Sequence, residues 1–251
     1  MTDQLELRDY PLTGRFLAGR ARHALSSEEK QRLEELVDET RTMRNGERVI
    51  ARGDVCDTST ILIDGFMLRT LETNGKRHAV SFHVPGDFVD LHCFALKRLD
   101  HNVDCVGDAT IGLVPHHRLR AAMAEDAHLG RLLWFSTLLD AAMHRQWIMK
   151  LEQLTAPRRI ANIFAEMWRR LEMVGLGDEA GFDTPLTQNN IAEMCGSTAI
   201  HANRAVGQLR NEGIADFKRG RVDIPSRKTL EDYGDFEPDY LYGDGALHLR
   251  E

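Results

Sequence analysis

The segment GSTAIHANRAVGQLRNEG, residues 196–213, decides the fold of the C-terminal part of the chain. Thr198 is predicted to cap a helix here, because a hydroxyl oxygen at that position accepts a hydrogen bond from a backbone N–H of the first turn. The apolar residues then recur at helical spacing. Four of them are predicted to be buried: Ala202, Ala205, Val206 and Leu209. The opposite face of the helix is polar, which raises the question of what it contacts.

A second helix is predicted immediately before this one. Thr187 is a suitable cap for a helix over 188–195. Ala192 and Gly196 are small residues four positions apart, so the two helices can cross closely, and glycine permits a left-handed turn between them. The segment therefore predicts a helix-turn-helix.

Basic residues follow the helix-turn-helix. The run IADFKRGRVDIP (214–225) is predicted to form a hairpin with Lys218, Arg219 and Arg221 around Gly220. The whole chain has a net charge of −7, but residues 185–228 hold seven basic and four acidic residues, a charge of +3. The tail, 229–251, holds seven acidic residues and one basic residue, a charge of −6. A local basic region within an acidic chain is compatible with DNA binding.

The region from about residue 46 to 114 has β-strand character. Five short β-prone runs are present: RVIAR, STILID, FMLRTL, HAVSFHV and TIGLVP. Glycine turns are predicted between them at Gly46, Gly53, Gly65, Gly75 and Gly86. Asn74 and Gly75 tolerate positive φ, which predicts a tight hairpin. The spacing predicts an antiparallel sandwich or barrel, preceded by a helix over 26–38 that begins with a capping box at Ser26 and Glu29.

A long helix is predicted over 127–153, since neither glycine nor proline occurs there after Gly130. Its apolar residues follow steps of three and four: Leu132, Phe135, Leu139, Met143, Trp147, Ile148 and Leu151. This spacing is typical of a two-helix seam, and the alternative is a helix packed on its own domain. After Pro157 a further helix is predicted over 158–174, followed by a glycine- and acid-rich loop over 175–184.

Taken together, these segments resemble the Crp/Fnr family of bacterial transcription regulators from about residue 20 to 228. The motifs that carry the resemblance, besides the winged helix-turn-helix, are NGERVIARGD (45–54), ILIDGFMLR (61–69), NGKRHAVSF (74–82), PGDF (85–88) and RRIA (158–161). The resemblance implies an α+β fold with an N-terminal antiparallel β-barrel of the double-stranded β-helix or jelly-roll type. It implies a sensor barrel over 1–126, a dimerisation helix over 127–155, and a winged helix-turn-helix with an acidic tail over 156–251.

The same resemblance implies a cytoplasmic DNA-binding regulator rather than an enzyme. The expected partners are double-stranded DNA, a second copy of the chain, RNA polymerase and an unknown small-molecule effector, with no membrane. The longest apolar run, LLWFSTLL (132–139), is far short of the ~20 residues that span a bilayer. The N-terminus also lacks the pattern of a secretory signal.

A set of DNA contacts can be transferred by this resemblance. Arg204 falls where family members place an arginine that contacts guanine, and a guanidinium can bond to both O6 and N7 of that base. Ile200 stands where well-known members have glutamate, so a different target sequence is expected. The wing residues are expected to contact phosphates. The predicted DNA-binding residues are Thr198, Ile200, His201, Asn203, Arg204, Gln208, Lys218, Arg219 and Arg221.

The effector pocket departs from the cyclic-nucleotide-binding pattern of the family. Asp90-Leu91 replace a Gly-Glu pair, and His101-Asn102 lie near the expected Arg-Ser pair, so both ligand-anchoring charges are missing. We therefore expect an effector other than cyclic AMP, or none. The candidate pocket residues are Asp90, Leu91, His92, Cys93, His101 and Asn102, with ordinary structural roles as the alternative.

No cofactor is required by the sequence. Oxygen-sensing relatives carry an N-terminal cysteine cluster, but here no cysteine precedes Cys56, and no CxxC spacing occurs. His92 falls where a haem-based sensor of the family has a haem ligand, which leaves haem as an alternative. Two further alternatives are a cupin-like metal protein using His78, His83 and His92, and a signal-binding module that acts through protein partners.

Overall fold

A computed structural model describes residues 2–243 of the chain. Met1 and residues 244–251, which include the end of the predicted acidic tail, lie outside the described residues. The helices are α1 (Thr2–Asp9), α2 (Ser27–Glu35), α3 (Cys93–Leu96), α4 (His116–Glu125), α5 (Ala127–Gln153), α6 (Ala156–Met173), α7 (Gln188–Met194), α8 (Ala199–Asn211) and α9 (Arg227–Gly234). The strands are β1 (Glu39–Met43), β2 (Arg48–Ile50), β3 (Thr58–Thr73), β4 (Lys76–His83), β5 (Asn102–Pro115), β6 (Gly177–Asp178), β7 (Gly181–Asp183), β8 (Asp216–Lys218) and β9 (Arg221–Asp223).

The N-terminal strands form one antiparallel five-stranded sheet in the order β1-β5-β3-β4, with β2 also paired to β5. The α+β class and the antiparallel jelly-roll-like arrangement are confirmed. Within residues 2–243 the pairing does not close into a complete barrel, so the predicted barrel is better described as a bent sheet. Helix α2 begins with the predicted capping box, in which Ser26 and Glu29 bond to each other's backbone N–H groups.

The predicted turn at Gly75 is confirmed, whereas the predicted turn at Gly65 is wrong. Asn74 (φ 54°) and Gly75 (φ 71°) form the predicted tight turn between β3 and β4. Gly65, however, lies inside β3 and does not end it; the pairing with β5 shifts register between Asp64 and Phe66. A Cβ at Gly65 would lie 2.5 Å from the Asp108 carbonyl oxygen, so glycine permits a bulge in a continuous strand.

Helix α5 has apolar residues on two faces. Five of the seven predicted seam residues, Leu132, Phe135, Leu139, Met143 and Trp147, are buried within the chain, so they cannot face a second helix. The other two, Ile148 and Leu151, are exposed. A different stripe faces outward, with Trp134 62%, Leu138 50% and Ile148 67% exposed. The exposed residues of this stripe, in steps of three and four, are Arg131, Trp134, Leu138, Ala141, Arg145 and Ile148; we call them the exposed seam.

Buried charges join α6 to the rest of the molecule. Glu166, fully buried on α6, accepts hydrogen bonds from Lys150 Nζ on α5 (2.9 Å) and from the Tyr240 hydroxyl (2.7 Å). Arg170, also on α6, pairs with Asp87 in the loop after β4. Such pairs are stable when every charge has a partner, so α6 connects the sheet to the C-terminal segments.

The helix-turn-helix forms as predicted. Thr187 caps α7 in a capping box with Asn190, and Thr198 caps α8 by accepting a bond from His201 N at 3.3 Å. Gly196 has φ +60° in the turn between them. All four residues predicted to be buried on α8 are buried: Ala202, Ala205, Val206 and Leu209.

Candidate nucleic-acid interface

The outward face of α8 presents side chains that are not used inside the molecule. Ile200 is 67% exposed, and His201, Asn203 and Arg204 are exposed beside it. Across the described residues, the side chains of Asn203 and Arg204 make no hydrogen bond or ion pair. Because Arg204 has no carboxylate partner, all five N–H donors of its guanidinium are available to a ligand. This arrangement is suited to reading base edges.

Two other predicted contacts on this helix are partly occupied. Gln208 donates from Nε2 to Glu212 (2.9 Å) and to the Tyr233 hydroxyl (3.4 Å), so its amide N–H groups are already used. The Thr198 oxygen accepts the capping bond from His201 N, but its hydroxyl hydrogen is still a donor. Arg204 and Asn203, by contrast, make no side-chain hydrogen bond within residues 2–243, so their polar groups are available to a ligand.

The predicted wing is a hairpin formed by β8 and β9. Lys218 pairs with Arg221 across a two-residue turn, in which Arg219 (φ 51°) and Gly220 (φ 79°) are both left-handed. The sequence did not predict β6 and β7, which come from the 175–184 loop and extend the wing into a four-stranded sheet in the order β6-β7-β9-β8.

The three basic residues of the wing differ in their partners. Arg221 is paired with Asp178 (2.8 Å), Asp223 (2.9 Å) and Asp183 (3.3 Å), and these hydrogen bonds hold the pKa of its guanidinium above the usual value. Lys218, itself exposed, has one partner, the half-buried Asp216, at 2.7 Å. Arg219 has no carboxylate partner within residues 2–243. The structure therefore leaves Arg219 as the wing cation most available to a phosphate.

A salt titration distinguishes these two arginines. If the wing contacts DNA phosphate through Arg219, Arg219→Gln makes the slope of log K against log salt shallower by about 0.9 per half-site, since one phosphate contact is lost. Arg221→Gln leaves the slope unchanged, because three aspartates already balance that charge. Fluorescence anisotropy between about 50 and 200 mM salt measures both slopes, and an equal loss in the two variants would contradict this assignment.

The helix-turn-helix that carries this face, and the chain around it, are similar in sequence to known proteins. Residues 158–233 match the Crp-like helix-turn-helix domain. The transcriptional activator protein FnrL of Cereibacter sphaeroides is 29% identical over 236 residues, covering 90% of this chain and 91% of FnrL. The chain is similar to proteins of the Crp/Fnr family. Another relative, the nitrogen fixation regulation protein FixK of Bradyrhizobium diazoefficiens, is 22% identical over 188 residues, which are 74% of this chain and 78% of FixK.

Solved Crp/Fnr structures share the fold. FixK2 from Bradyrhizobium japonicum matches with a TM-score of 0.70 and 23% identity, covering 78% of this chain and 96% of FixK2. A transcriptional regulator of the CRP family from Thermus thermophilus matches with a TM-score of 0.64 and 17% identity, covering 78% of this chain and 96% of that protein.

The candidate effector residues of this chain are mostly used in structural contacts. Asp90 is completely buried, and its carboxylate accepts bonds from Thr60 N (2.6 Å) and Thr60 Oγ1 (3.1 Å). Asn102 Oδ1 accepts from Arg52 N at 2.7 Å. Cys93 Sγ lies 3.5 Å from His116 Nε2, and burial raises the pKa of its thiol. These contacts favour the structural alternative for all three residues.

Two of the predicted pocket residues do lie together. The rings of His92 and His101 lie with centroids 5.4 Å apart and planes tilted by 42°. Burial, together with nearby Arg69, lowers the pKa of each to about 4. Both imidazoles are therefore neutral at neutral pH. Leu91, the remaining candidate in this stretch, is a buried apolar residue. Neither neutral imidazole supplies the positive charge that an anionic ligand needs.

The buried cation of this region, Arg69, was not predicted from the sequence. Arg69, 3% exposed on β3, donates to Asp140 Oδ2 on α5 (2.9 Å) and to the Val89 carbonyl (2.9 Å). Burial alone would raise the pKa of Asp140, but Arg69, His83 and His144 together outweigh burial and lower that pKa. The one signal in the sequence was an arginine within a strand motif, ILIDGFMLR, and its partner lies 71 positions away. Arg69 is thus neutralised by α5 and is not free to anchor a ligand phosphate.

The described residues give no support to the alternative of a metal site. Among residues 2–243, no group of three or more His, Cys, Asp or Glu side chains is arranged to hold a metal ion. His78, His83 and His92 are not brought together in such a group. Over the same residues, no helix is both long and apolar enough to cross a lipid bilayer.

The buried Asp90 gives a pH prediction. Burial raises its pKa from 3.8 to about 7, although the bonds from Thr60 oppose this shift. The folded state therefore holds the proton more tightly than the unfolded state, so stability is greatest at acid pH and falls as pH rises towards 7. This carboxyl contributes a slope of up to about 1.4 kcal/mol per pH unit. Asp90→Asn, which cannot ionise, is expected to remove it.

Urea unfolding from about pH 4.5 to 7, within the window between the pKa values of 3.8 and about 7, measures this contribution as the difference in slope between wild type and Asp90→Asn. Asp64→Asn, at an exposed position in the same sheet, is the matched control and should leave the wild-type slope unchanged. Identical pH profiles for wild type and Asp90→Asn would mean that Asp90 is ionised throughout.

Proposed function

We propose that this chain is a sequence-specific DNA-binding transcription regulator that acts as a homodimer on a palindromic operator. The observation that carries the proposal is the outward face of α8, where Ile200, Asn203 and Arg204 are exposed and the two polar side chains have no internal partner within the described residues. Similarity to proteins of the Crp/Fnr family supports the same role, since the relatives FnrL and FnrA carry the name transcriptional activator.

Within this proposal, each half of the DNA interface has readers and positioning contacts. Arg204 reads a guanine through O6 and N7, and Asn203 and Ile200 contact neighbouring bases. Thr198, His201 and Gln208 lie at the edge of the reading face. Arg219 contacts a phosphate beside the groove, with Lys218 next to it, whereas Arg221 holds the wing sheet together through its three aspartates.

The homodimer is supported by the exposed seam on α5. Trp134, Leu138 and Ile148 are large apolar side chains in a stripe whose spacing averages about 3.5 residues, and the small Ala141 between them lets a second helix approach closely. A monomeric protein rarely leaves such a stripe uncovered. In a two-fold dimer the two α8 helices enter successive major grooves about 34 Å apart.

We infer that the effector is not cyclic AMP, and that the protein can adopt its fold without one. Support comes from Arg69, which is neutralised by Asp140, and from Asp90, whose carboxylate is bonded to Thr60. Both of these charged groups are therefore already bonded to other groups of the chain. The protein then acts in the cytoplasm, where it contacts RNA polymerase at a promoter, and it has no catalytic role.

The test is binding of the purified protein to duplex DNA over a range of salt concentrations. A regulator that contacts phosphates releases counterions, so log K must fall linearly with log salt, with a slope of about −0.9 for each contact. Binding to operator DNA that exceeds binding to scrambled DNA supports the proposal. Binding that is flat across salt would instead identify the helix-turn-helix as a protein-docking module.

A further inference from the structure

A groove of about 560 Å³ separates the β3–β4 hairpin of the sheet from the helix-turn-helix. The sheet contributes three consecutive residues at the start of β4, Lys76, Arg77 and His78. The helix-turn-helix contributes the turn between its helices and the first turn of α8. We call this the hairpin groove. Its lining includes Lys76, Arg77, Glu193, Ser197, Thr198 and His201.

An ion pair fixes the hairpin against the helix-turn-helix. Arg77 Nη1 donates to Glu193 Oε2 on α7 at 2.8 Å, and its Nη2 donates to Asp104 Oδ2 on β5 at 3.2 Å. The Arg77 and Glu193 side chains are 29% and 22% exposed, so the pair is partly shielded from water. The guanidinium thus bridges β5 and α7, and the start of β4 is held next to α8.

The charge balance in the hairpin groove is positive. Among the residues that line the groove, two cations, Lys76 and Arg77, lie with one carboxylate, Glu193, which is paired with Arg77. Lys76 is exposed and, across residues 2–243, has no carboxylate partner. On the opposite wall the Thr198 hydroxyl can donate, whereas the Ser197 hydroxyl already donates to the Thr198 carbonyl. An anion that enters the groove therefore meets one uncompensated cation and a neutral donor.

The position of the groove indicates that the anion is a DNA phosphate. Thr198 caps α8 and His201 lies in its first turn, at the N-terminal end by which a recognition helix contacts base edges in the major groove. That groove is about 12 Å wide, so a helix inside it has a phosphate strand on either side. A flexible lysine beside the first turn of α8 is placed to reach the nearer strand.

We propose that Lys76 binds a phosphate of the DNA strand beside the recognition helix, so that the sheet domain itself forms part of the DNA interface. Arg77 is the positioning residue that holds the hairpin at this distance from α8. The inference rests on the proposed function, and it adds a third contact region to α8 and the wing. It also connects the sheet directly to DNA affinity.

Lys76→Gln tests the contact. In the full-length dimer on operator DNA, the slope of log K against log salt becomes shallower by about 2 per dimer, because one phosphate contact is lost in each half-site. Base preference stays unchanged, since a phosphate contact carries no sequence information. Phosphate ethylation interference locates the contact: one position per half-site that blocks the wild-type protein no longer affects the variant. Lys97→Gln, at an exposed lysine outside the groove, should behave as wild type.

The positioning role of Arg77 is tested by coupling. Arg77→Gln weakens DNA binding in the wild-type background but has a much smaller effect when Lys76→Gln is already present, because both act through the same phosphate. Independent effects would mean that Arg77 acts only on folding. An unchanged salt slope and ethylation pattern in Lys76→Gln overturn the Lys76 contact while leaving the proposed function standing, whereas a wild-type protein that does not bind duplex DNA overturns both.

Discussion

Replacing Arg204 with alanine is expected to abolish the preference for one base pair in each half-site. The guanidinium is exposed on α8 and has no internal partner within residues 2–243, so its removal leaves the fold intact. Each lost bidentate contact costs on the order of 1–3 kcal/mol of discrimination. With two half-sites the dimer loses about twice this amount, which corresponds to a loss of operator affinity of about 30-fold or more.

Competition binding with operators that carry single base substitutions measures this effect. Arg210→Ala is the matched control, because Arg210 is an exposed arginine on the same helix that points away from Arg204. That variant is expected to lose some non-specific affinity and to keep its base preferences. If Arg204→Ala retained full selectivity at every position of the half-site, α8 would not be reading DNA through this residue.

Placing a negative charge in the exposed seam is expected to separate the dimer. Trp134→Glu puts a carboxylate on a residue that is 62% exposed in the single chain and that the proposed dimer would bury. Two such charges face each other across the two-fold axis, and burying unpaired charge is costly. A monomer binds only one half-site, so operator affinity is expected to fall by about 100-fold or more through loss of the linked second site.

Analytical ultracentrifugation gives the oligomeric state directly. Leu96→Glu is the control for this substitution, since Leu96 is 63% exposed on α3 and does not belong to the exposed seam. Wild type and Leu96→Glu should sediment as dimers and Trp134→Glu as a monomer with an unchanged circular dichroism spectrum. A Trp134→Glu protein that is still dimeric would place the interface elsewhere.

Local features of the fold were predictable from the sequence. The capping box at Ser26, the turn at Asn74-Gly75 and the caps at Thr187 and Thr198 each depend on residues within a few positions of one another. The buried stripe of α8 follows from helical periodicity alone. These features were confirmed because neighbouring residues decide them.

Features set by distant residues were not predictable in the same way. Helix α5 is apolar on two faces, and periodicity cannot decide which face the chain covers. Five of the seven predicted seam residues are therefore buried within the chain, whereas Ile148 and Leu151 are exposed. Arg221 has the same residue type as Arg219, but Asp178 and Asp183 reach it from strands that were interpreted as a loop. Arg69 on β3 likewise pairs with a distant residue, Asp140 on α5.

The central claim is that α8 of a two-fold dimer reads a specific DNA sequence. Selection of bound duplexes from a random pool with the purified full-length protein tests it most directly. The account predicts a palindromic site whose half-sites are centred about 10 base pairs apart, one turn of DNA, each with a guanine whose selection is lost with Arg204→Ala. Recovery of no common sequence, or of a single half-site without a palindrome, would contradict it.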